Sequence, residues 1–200
     1  LVRWLDRGYV DGRVVGGGGG VGDLVMADQV QNQLGLDKVY LMPTYLPPHV
    51  DEKKTISSEH RLAMLELAVA DNPCLDIEPI ELIRKGKSYT YDTMKALKEA
   101  NPDTDYYFII GGDMVEYLPK WHRIDDLLHL VQFVGIRRPN YPTESTYPII
   151  WVDVPQMAIS STLIRQKVKS GCSTRYLLPE NVINYIQEKG LYQDELDNKL

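Results

Sequence analysis

Apolar residues recur along this chain in two alternating rhythms, and the alternation predicts the fold class. Met26, Ala27, Val30 and Leu34 follow a helical spacing, with Gly35 placed to cap the end. Lys38–Met42 (KVYLM) is a short β-rich run closed by Pro43. Ser57 and Ser58 are placed to cap a helix whose Leu62, Leu65 and Val69 line one face, and Asn72-Pro73 stops it. Leu75–Arg84 reads as two short strand-like pieces around Pro79, and a helix runs from about Asp92 to Ala100. Tyr106–Ile110 (YYFII) has the character of a buried strand and leads into Gly111-Gly112-Asp113. Beyond it the pattern predicts a helix over Ile124–Leu130 and strands over Gln132–Ile136 and Ile149–Val152. A helix then runs from Ser160-Ser161 to about Ser170, and another from Pro179-Glu180 to near Gly190.

Strands separated by helices imply βαβ units. The expected class is α/β: a Rossmann-like, doubly wound parallel sheet with helices on both faces and a small C-terminal helical part. Such sheets bind ligands beyond the carboxyl ends of their strands, where the connections change direction. That directs attention to Pro43–His49, Gly111–Asp113 and the approach to Ser160.

Composition narrows the class of ligand. With a net charge of −6 and a sequence pI near 5.2, the 200-residue chain lacks the basic surface of a nucleic-acid binder, so no nucleic-acid partner is expected. A local cluster of amides and cations still holds a small anion within an acidic protein. No apolar run reaches the length of a membrane span, and no membrane partner is expected. Cys74 and Cys172 form no CxxC pair, which favours two reduced thiols and a cytoplasmic location over one disulfide. No metal-ligating set stands out among His49, His60, His122 and His129.

Five segments carry candidate chemistry. In Ile159–Arg165 (ISSTLIR), Ser160 and Ser161 at a helix start leave backbone N–H groups free for an anion, and Arg165 lies one turn on, on the same face as Ser161. The plain alternative is a serine cap with a surface arginine. In Phe108–Met114, glycines beyond a buried strand let a ligand approach the backbone, and Asp113 is placed to accept hydrogen bonds; the alternative is a tight turn capped by Asp113. Gly86–Thr93 (GKSYTYDT) offers hydroxyls and Tyr89 and Tyr91 as ring partners, or a helix capped by Thr90. Trp121 after Leu118-Pro119-Lys120 is either a stacking surface or a core tryptophan. The run Gly16–Gly20 with Gly22 lacks the Gly-Lys-Ser/Thr of a phosphate loop. It fits GxGxxG (Gly17, Gly19, Gly22) only as any glycine run would, and the strand expected before it, Arg7–Val14, is poor.

The order and spacing of these segments resemble the bacterial nicotinate-mononucleotide adenylyltransferases of the HIGH-type nucleotidyltransferase superfamily. The match runs from Gly22 to Tyr192 through GDLVMADQV, MPTYLPPH, SSEHRLAML, GKSYTYDT, FIIGGDM, LPKWH, ISSTLIR and RYLLPENVINYIQEKGLY. GKSYTYDT and KWH separate it from the shorter pantetheine-phosphate adenylyltransferases. The resemblance implies a transferase of NAD biosynthesis that joins ATP, with Mg²⁺, to nicotinate mononucleotide, releasing pyrophosphate; NAD is only the pathway's product. By motif, Ser160, Ser161, Arg165 and Gly111 would bind ATP, with Arg165 the catalytic cation. Thr44, Tyr45, Tyr89, Thr90, Asp113 and Trp121 would border the mononucleotide. A homodimer is allowed.

Before Leu24 the resemblance stops. The family opens with a strand and then G-G-x-F-x-P-x-H-x-x-H. Aligned back from Leu24–Ala27, its two histidines fall on Gly20 and Asp23, its G-G on Arg13-Val14, its aromatic residue on Gly16 and its strand on Tyr9–Gly12. The expected division is therefore an atypical glycine-rich segment (1–23), a nucleotidyltransferase domain (24–192) and a tail (193–200). So abrupt a break fits a shift of reading frame or an altered sequence better than gradual divergence, and the coding DNA decides between them. The alternative to an active enzyme is a nucleotide-binding homologue impaired by the missing HxxH.

Overall fold

The structure is a computed structural model that describes residues 2–4, 20–45, 56–137, 141, 143–155, 157 and 159–193, the first three by their backbone. Its centre is a six-stranded, wholly parallel sheet: β1 (Val2–Trp4), β2 (Val39–Leu41), β3 (Leu75–Ile77), β4 (Tyr107–Gly111), β5 (Gln132–Ile136) and β6 (Ile149–Val152). The order across it is β3-β2-β1-β4-β5-β6. Chain direction across the sheet reverses between β1 and β4, which is where a doubly wound sheet opens its ligand crevice.

The position of β1 corrects the sequence reading. Tyr9–Gly12, where the alignment set the first strand, lies outside the described residues. The strand beside β4 is instead Val2–Trp4, with Arg3 in register with Tyr40 on one side and Phe108 on the other. Three residues carry almost no periodic signal; pairing on both edges is what makes them a strand.

Alternation along β4 divides the core. Phe108 and Ile110 pack on one face with Met94, Leu97, Leu118 and Leu127, whereas Ile109 faces the other way with Ala27, Val30, Leu65 and Val134. The first face is covered by α4 (Thr90–Ala100), α5 (Gly112–Val115) and α6 (Ile124–Leu127); the second by α1 (Val21–Leu34) and α2 (Ser58–Val69). A third apolar cluster joins α2 to α7 (Ser161–Lys169) and α8 (Glu180–Glu188) through Met64, Ile164, Leu178, Val182 and Ile186, which forms the small C-terminal helical part.

Local signals account for most element ends. Ser57 caps α2, its Oγ accepting from the His60 N–H at 3.3 Å, and Gly35 closes α1 in the left-handed conformation (φ 61°). Several bounds move. Helix α1 begins at Val21, ahead of Met26, so Asp23 lies in its first turn. The second strand-like piece expected near Pro79 is a helix, α3 (Ile80–Arg84), because Pro79 sets the helical start and Glu78 Oε1 accepts from the Ile80 N–H at 3.0 Å. The helix expected over Ile124–Leu130 ends at Leu127. On α2 the buried face is Arg61, Met64, Leu65 and Val69, with Leu62 only half-buried.

Gly135 on β5 admits no side chain. A Cβ there would stand 2.8 Å from Ile149 Cγ2 and from the Trp151 ring on β6. Overpacking of this kind costs about 1–3 kcal/mol. Gly135→Ala should therefore lower the melting temperature by roughly 3–10 °C, read by circular dichroism. An unchanged melting temperature would show that the β6 side chains move aside freely.

Candidate active site

Two helix starts, those of α1 and α7, line one cleft. Gly20 is the N-cap of α1, and the Val21 N–H donates to the Leu177 carbonyl at 3.1 Å, which ties this end to the loop before α8. Ser160 is the N-cap of α7, its Oγ accepting from the Leu163 N–H at 3.2 Å. Accepting that bond leaves the hydroxyl's own proton free to be donated. Between the two starts lies an open cleft with Gly20, Asp23, Ser161 and Arg165 on its polar side and Met64, Ile164 and Leu178 on its apolar side. Each helix start carries a positive dipole end.

Arg165 is half-buried in this wall, its Nη2 3.3 Å from Thr162 Oγ1. It is thus neither a free surface arginine nor part of the core; Ser160 caps α7, while Ser161 lines the cleft. Asp23 brings a carboxylate into the same space. Among the described residues no group of three or more His, Cys, Asp and Glu is arranged to hold a metal ion.

On the other side of the sheet's midline the structure joins two segments that are far apart in sequence. Tyr89, not Thr90, is the N-cap of α4, and Thr90 is its first residue; Tyr89 offers no side-chain cap. The Tyr89 ring lies against His122, centroids 4.8 Å apart, and Arg123 sits 4.0 Å from the Tyr91 centroid. The Asp126 carboxylate, 2.7 Å from Arg123 Nε, raises the guanidinium's pKa above its ordinary value, chiefly through that hydrogen bond. Trp121 is half-buried and edge-on to Phe108 and Phe133, so it is anchored in the core while part of it stays accessible.

Gly111 ends β4 at the switch point and is the N-cap of α5, which corrects the capping role considered for Asp113. Asp113 is buried in the first turn. Thr44 and Tyr45, half-buried, follow β2. Sequence reasoning missed what holds them. Arg61, buried on α2, donates from Nη1 to the Thr44 carbonyl at 2.7 Å. The signal was present: an arginine at i and a core leucine, Leu65, at i+4 place a cation on an apolar face, where it needs an acceptor.

The glycine run contributes only its last members to the described residues. Gly20 caps α1 and Gly22 lies inside it, while residues 5–20 separate β1 from α1, far longer than the tight turn of a dinucleotide fingerprint. Cys74 and Cys172 are both free thiols. No helix among the described residues is long and apolar enough to cross a membrane.

The cytidylyltransferase-like family matches residues 21–167. The chain is 62% identical over 169 residues to the probable nicotinate-nucleotide adenylyltransferase of Streptococcus pneumoniae serotype 4, covering 84% of this chain and 81% of that protein. It is 61% identical over 170 residues to the protein of the same name from Streptococcus mutans serotype c, covering 85% and 81%. Among solved structures, the Plasmodium falciparum nicotinic acid mononucleotide adenylyltransferase complexed with NaAD superposes with a TM-score of 0.68 at 16% identity, over 88% of this chain and 93% of that one. At that identity the likeness shows the shared fold.

Proposed function

Because the chain belongs to the cytidylyltransferase-like family and, within it, to the nicotinate-nucleotide adenylyltransferases, we propose that it transfers the adenylyl group of ATP to nicotinate mononucleotide. An oxygen of the mononucleotide phosphate bonds to the α-phosphorus of ATP. The bond from that phosphorus to the bridging oxygen breaks, and pyrophosphate leaves as nicotinate adenine dinucleotide forms. No side chain is consumed, so catalysis consists of alignment and stabilisation of the charge that grows on the leaving group.

The observation that carries this reading is the meeting of two helix starts and a guanidinium in one cleft. Ser160, Ser161 and Arg165 take the ATP phosphates, and Gly111 lets the nucleotide pass close to the backbone. Asp113 accepts from a ribose hydroxyl, Thr44 and Tyr45 border the mononucleotide, the Tyr89–Thr90 segment meets the nicotinate carboxylate, and Trp121 offers the pyridine ring a surface. Mg²⁺ enters with the substrate as MgATP, a mode that suits a small cation bound largely through phosphates. ATP supply and the free thiols of Cys74 and Cys172 both suit a cytoplasmic setting. The Asp23 carboxylate opposes the phosphates and slows the step without changing its kind.

The test is product identity. The chain is incubated with MgATP and, separately, nicotinate mononucleotide, nicotinamide mononucleotide or phosphopantetheine, and products are resolved by mass. The account expects nicotinate adenine dinucleotide and pyrophosphate in equal amounts from the first, and much less product from the other two. Preferential use of phosphopantetheine would overturn the assignment.

A further inference from the structure

The polar groups buried between α3 and α4 have no role in the chemistry just described, yet they are expensive where they stand. Glu81 and Thr93 have no exposed surface. Thr93 Oγ1 donates to Glu81 Oε1 at 2.8 Å and accepts from Arg84 Nη2 at 2.8 Å. The Thr93 N–H, one turn into α4, donates to the Tyr89 carbonyl at 3.2 Å. Apolar side chains of similar size would close this junction at lower cost. What they would not supply is direction: a hydroxyl held on two sides fixes the first turn of α4 against α3 at one angle.

The segment between these anchors needs fixing. Lys85 (φ 58°, ψ 176°) and Gly86 (φ 76°) are consecutive positive-φ residues, and Lys85 occupies a region that side chains avoid. Such strain persists only where the surroundings over-determine it. Ser88 follows, 2% exposed, with its Oγ making no hydrogen bond among the described residues. A buried hydroxyl without a partner is a group for a ligand to satisfy. Tyr89 then lies against His122, beside Trp121.

We propose that Glu81, Thr93 and Arg84 form a positioning clamp that holds the Ser88–Thr90 segment in the geometry that recognises the nicotinate end of the mononucleotide. The inference rests on the pocket assignment above. Thr93 and Glu81 are positioning residues: they act through the segment and touch no substrate. Loosening the clamp costs affinity for nicotinate mononucleotide and discrimination against nicotinamide mononucleotide, and leaves ATP, held on α7, untouched.

Calorimetry on the full chain tests this with three ligands: nicotinate mononucleotide, nicotinamide mononucleotide and ATP. Thr93→Val, which keeps the shape and removes the hydroxyl, should raise the Kd for nicotinate mononucleotide about tenfold. It should narrow the preference over nicotinamide mononucleotide and leave the ATP Kd within about twofold. Thr93→Ser should restore most of the affinity. Arg84→Met removes one bond from the clamp's exposed side without opening a cavity. It should weaken nicotinate mononucleotide about threefold, and it decides the matter if Thr93→Val does not fold. Equal loss for ATP and the mononucleotide, or no loss for the mononucleotide, would overturn the clamp. Failure of the unsubstituted chain to bind nicotinate mononucleotide while binding ATP would instead overturn the pocket assignment itself.

Discussion

Arg165→Ala should weaken ATP binding about ten- to hundredfold while leaving the Kd for nicotinate mononucleotide within about twofold. A hydrogen bond to a charged group contributes roughly 1.5–3 kcal/mol, and Arg165 is the cation that lines the cleft between α1 and α7. Its side chain is half-buried, so water screens it less than a surface arginine. Arg165→Lys should recover only part of the loss, because an ammonium does not reproduce the planar fork that meets two phosphate oxygens at once. Calorimetric titration with ATP and then with nicotinate mononucleotide gives both numbers. Equal weakening of the two ligands would mean that Arg165 supports the fold of α7 rather than the phosphates.

The second large effect is a gain. Gly20→His with Asp23→His should raise kcat by about a hundredfold or more over the unsubstituted chain. One preorganised donor aimed at developing charge is worth on the order of 3 kcal/mol, and Asp23→His also removes a carboxylate from the phosphate cleft. The structure makes the exchange feasible at Gly20. Its backbone (φ −63°, ψ 148°) is open to any residue, and a Cβ there would stand 3.6 Å from Ile164 Cδ1 and 3.8 Å from Asp23 Oδ2, which are ordinary contacts. The gain should still stop short of the rate of the Streptococcus pneumoniae relative assayed alongside, because the alignment back from Leu24 sets Arg13, Val14 and Gly16, rather than a G-G-x-F turn, ahead of these positions. Equality with that relative would show that the turn counts for little.

How much of this was legible in the sequence depends on the range of the force that decided each part. Helices α2 and α7 and strands β5 and β6 follow from local pattern and serine caps, and their observed bounds lie within a residue or two of the expected ones. Helix α3 was misread because Ile80, Leu82 and Ile83 look like strand residues. Its helix is decided by Pro79, by the Glu78 side chain and by burial of Glu81 against Thr93, twelve residues away. Strand β1 was missed because its three residues are fixed only by their neighbours β2 and β4. The site divides in the same way. Ser161 and Arg165 stand out in the sequence through helical spacing and chemistry, and the cleft brings them together with Gly20 and Asp23. Arg61 and Thr93 were not given roles, since the bonds that define them reach Thr44 and Glu81 across the fold.

The central claim is one of place: ATP phosphates between α1 and α7, the nicotinate end between α4 and Trp121, the two joined across Gly111 at the switch point. A crystal structure of the chain with nicotinate adenine dinucleotide tests it most directly. The account predicts the pyrophosphate bridge within hydrogen-bond distance of Ser161 and Arg165, and the nicotinate carboxylate at the Tyr89–Thr90 amides. A dinucleotide bound elsewhere, or bound with its adenylyl end at Trp121, would contradict it.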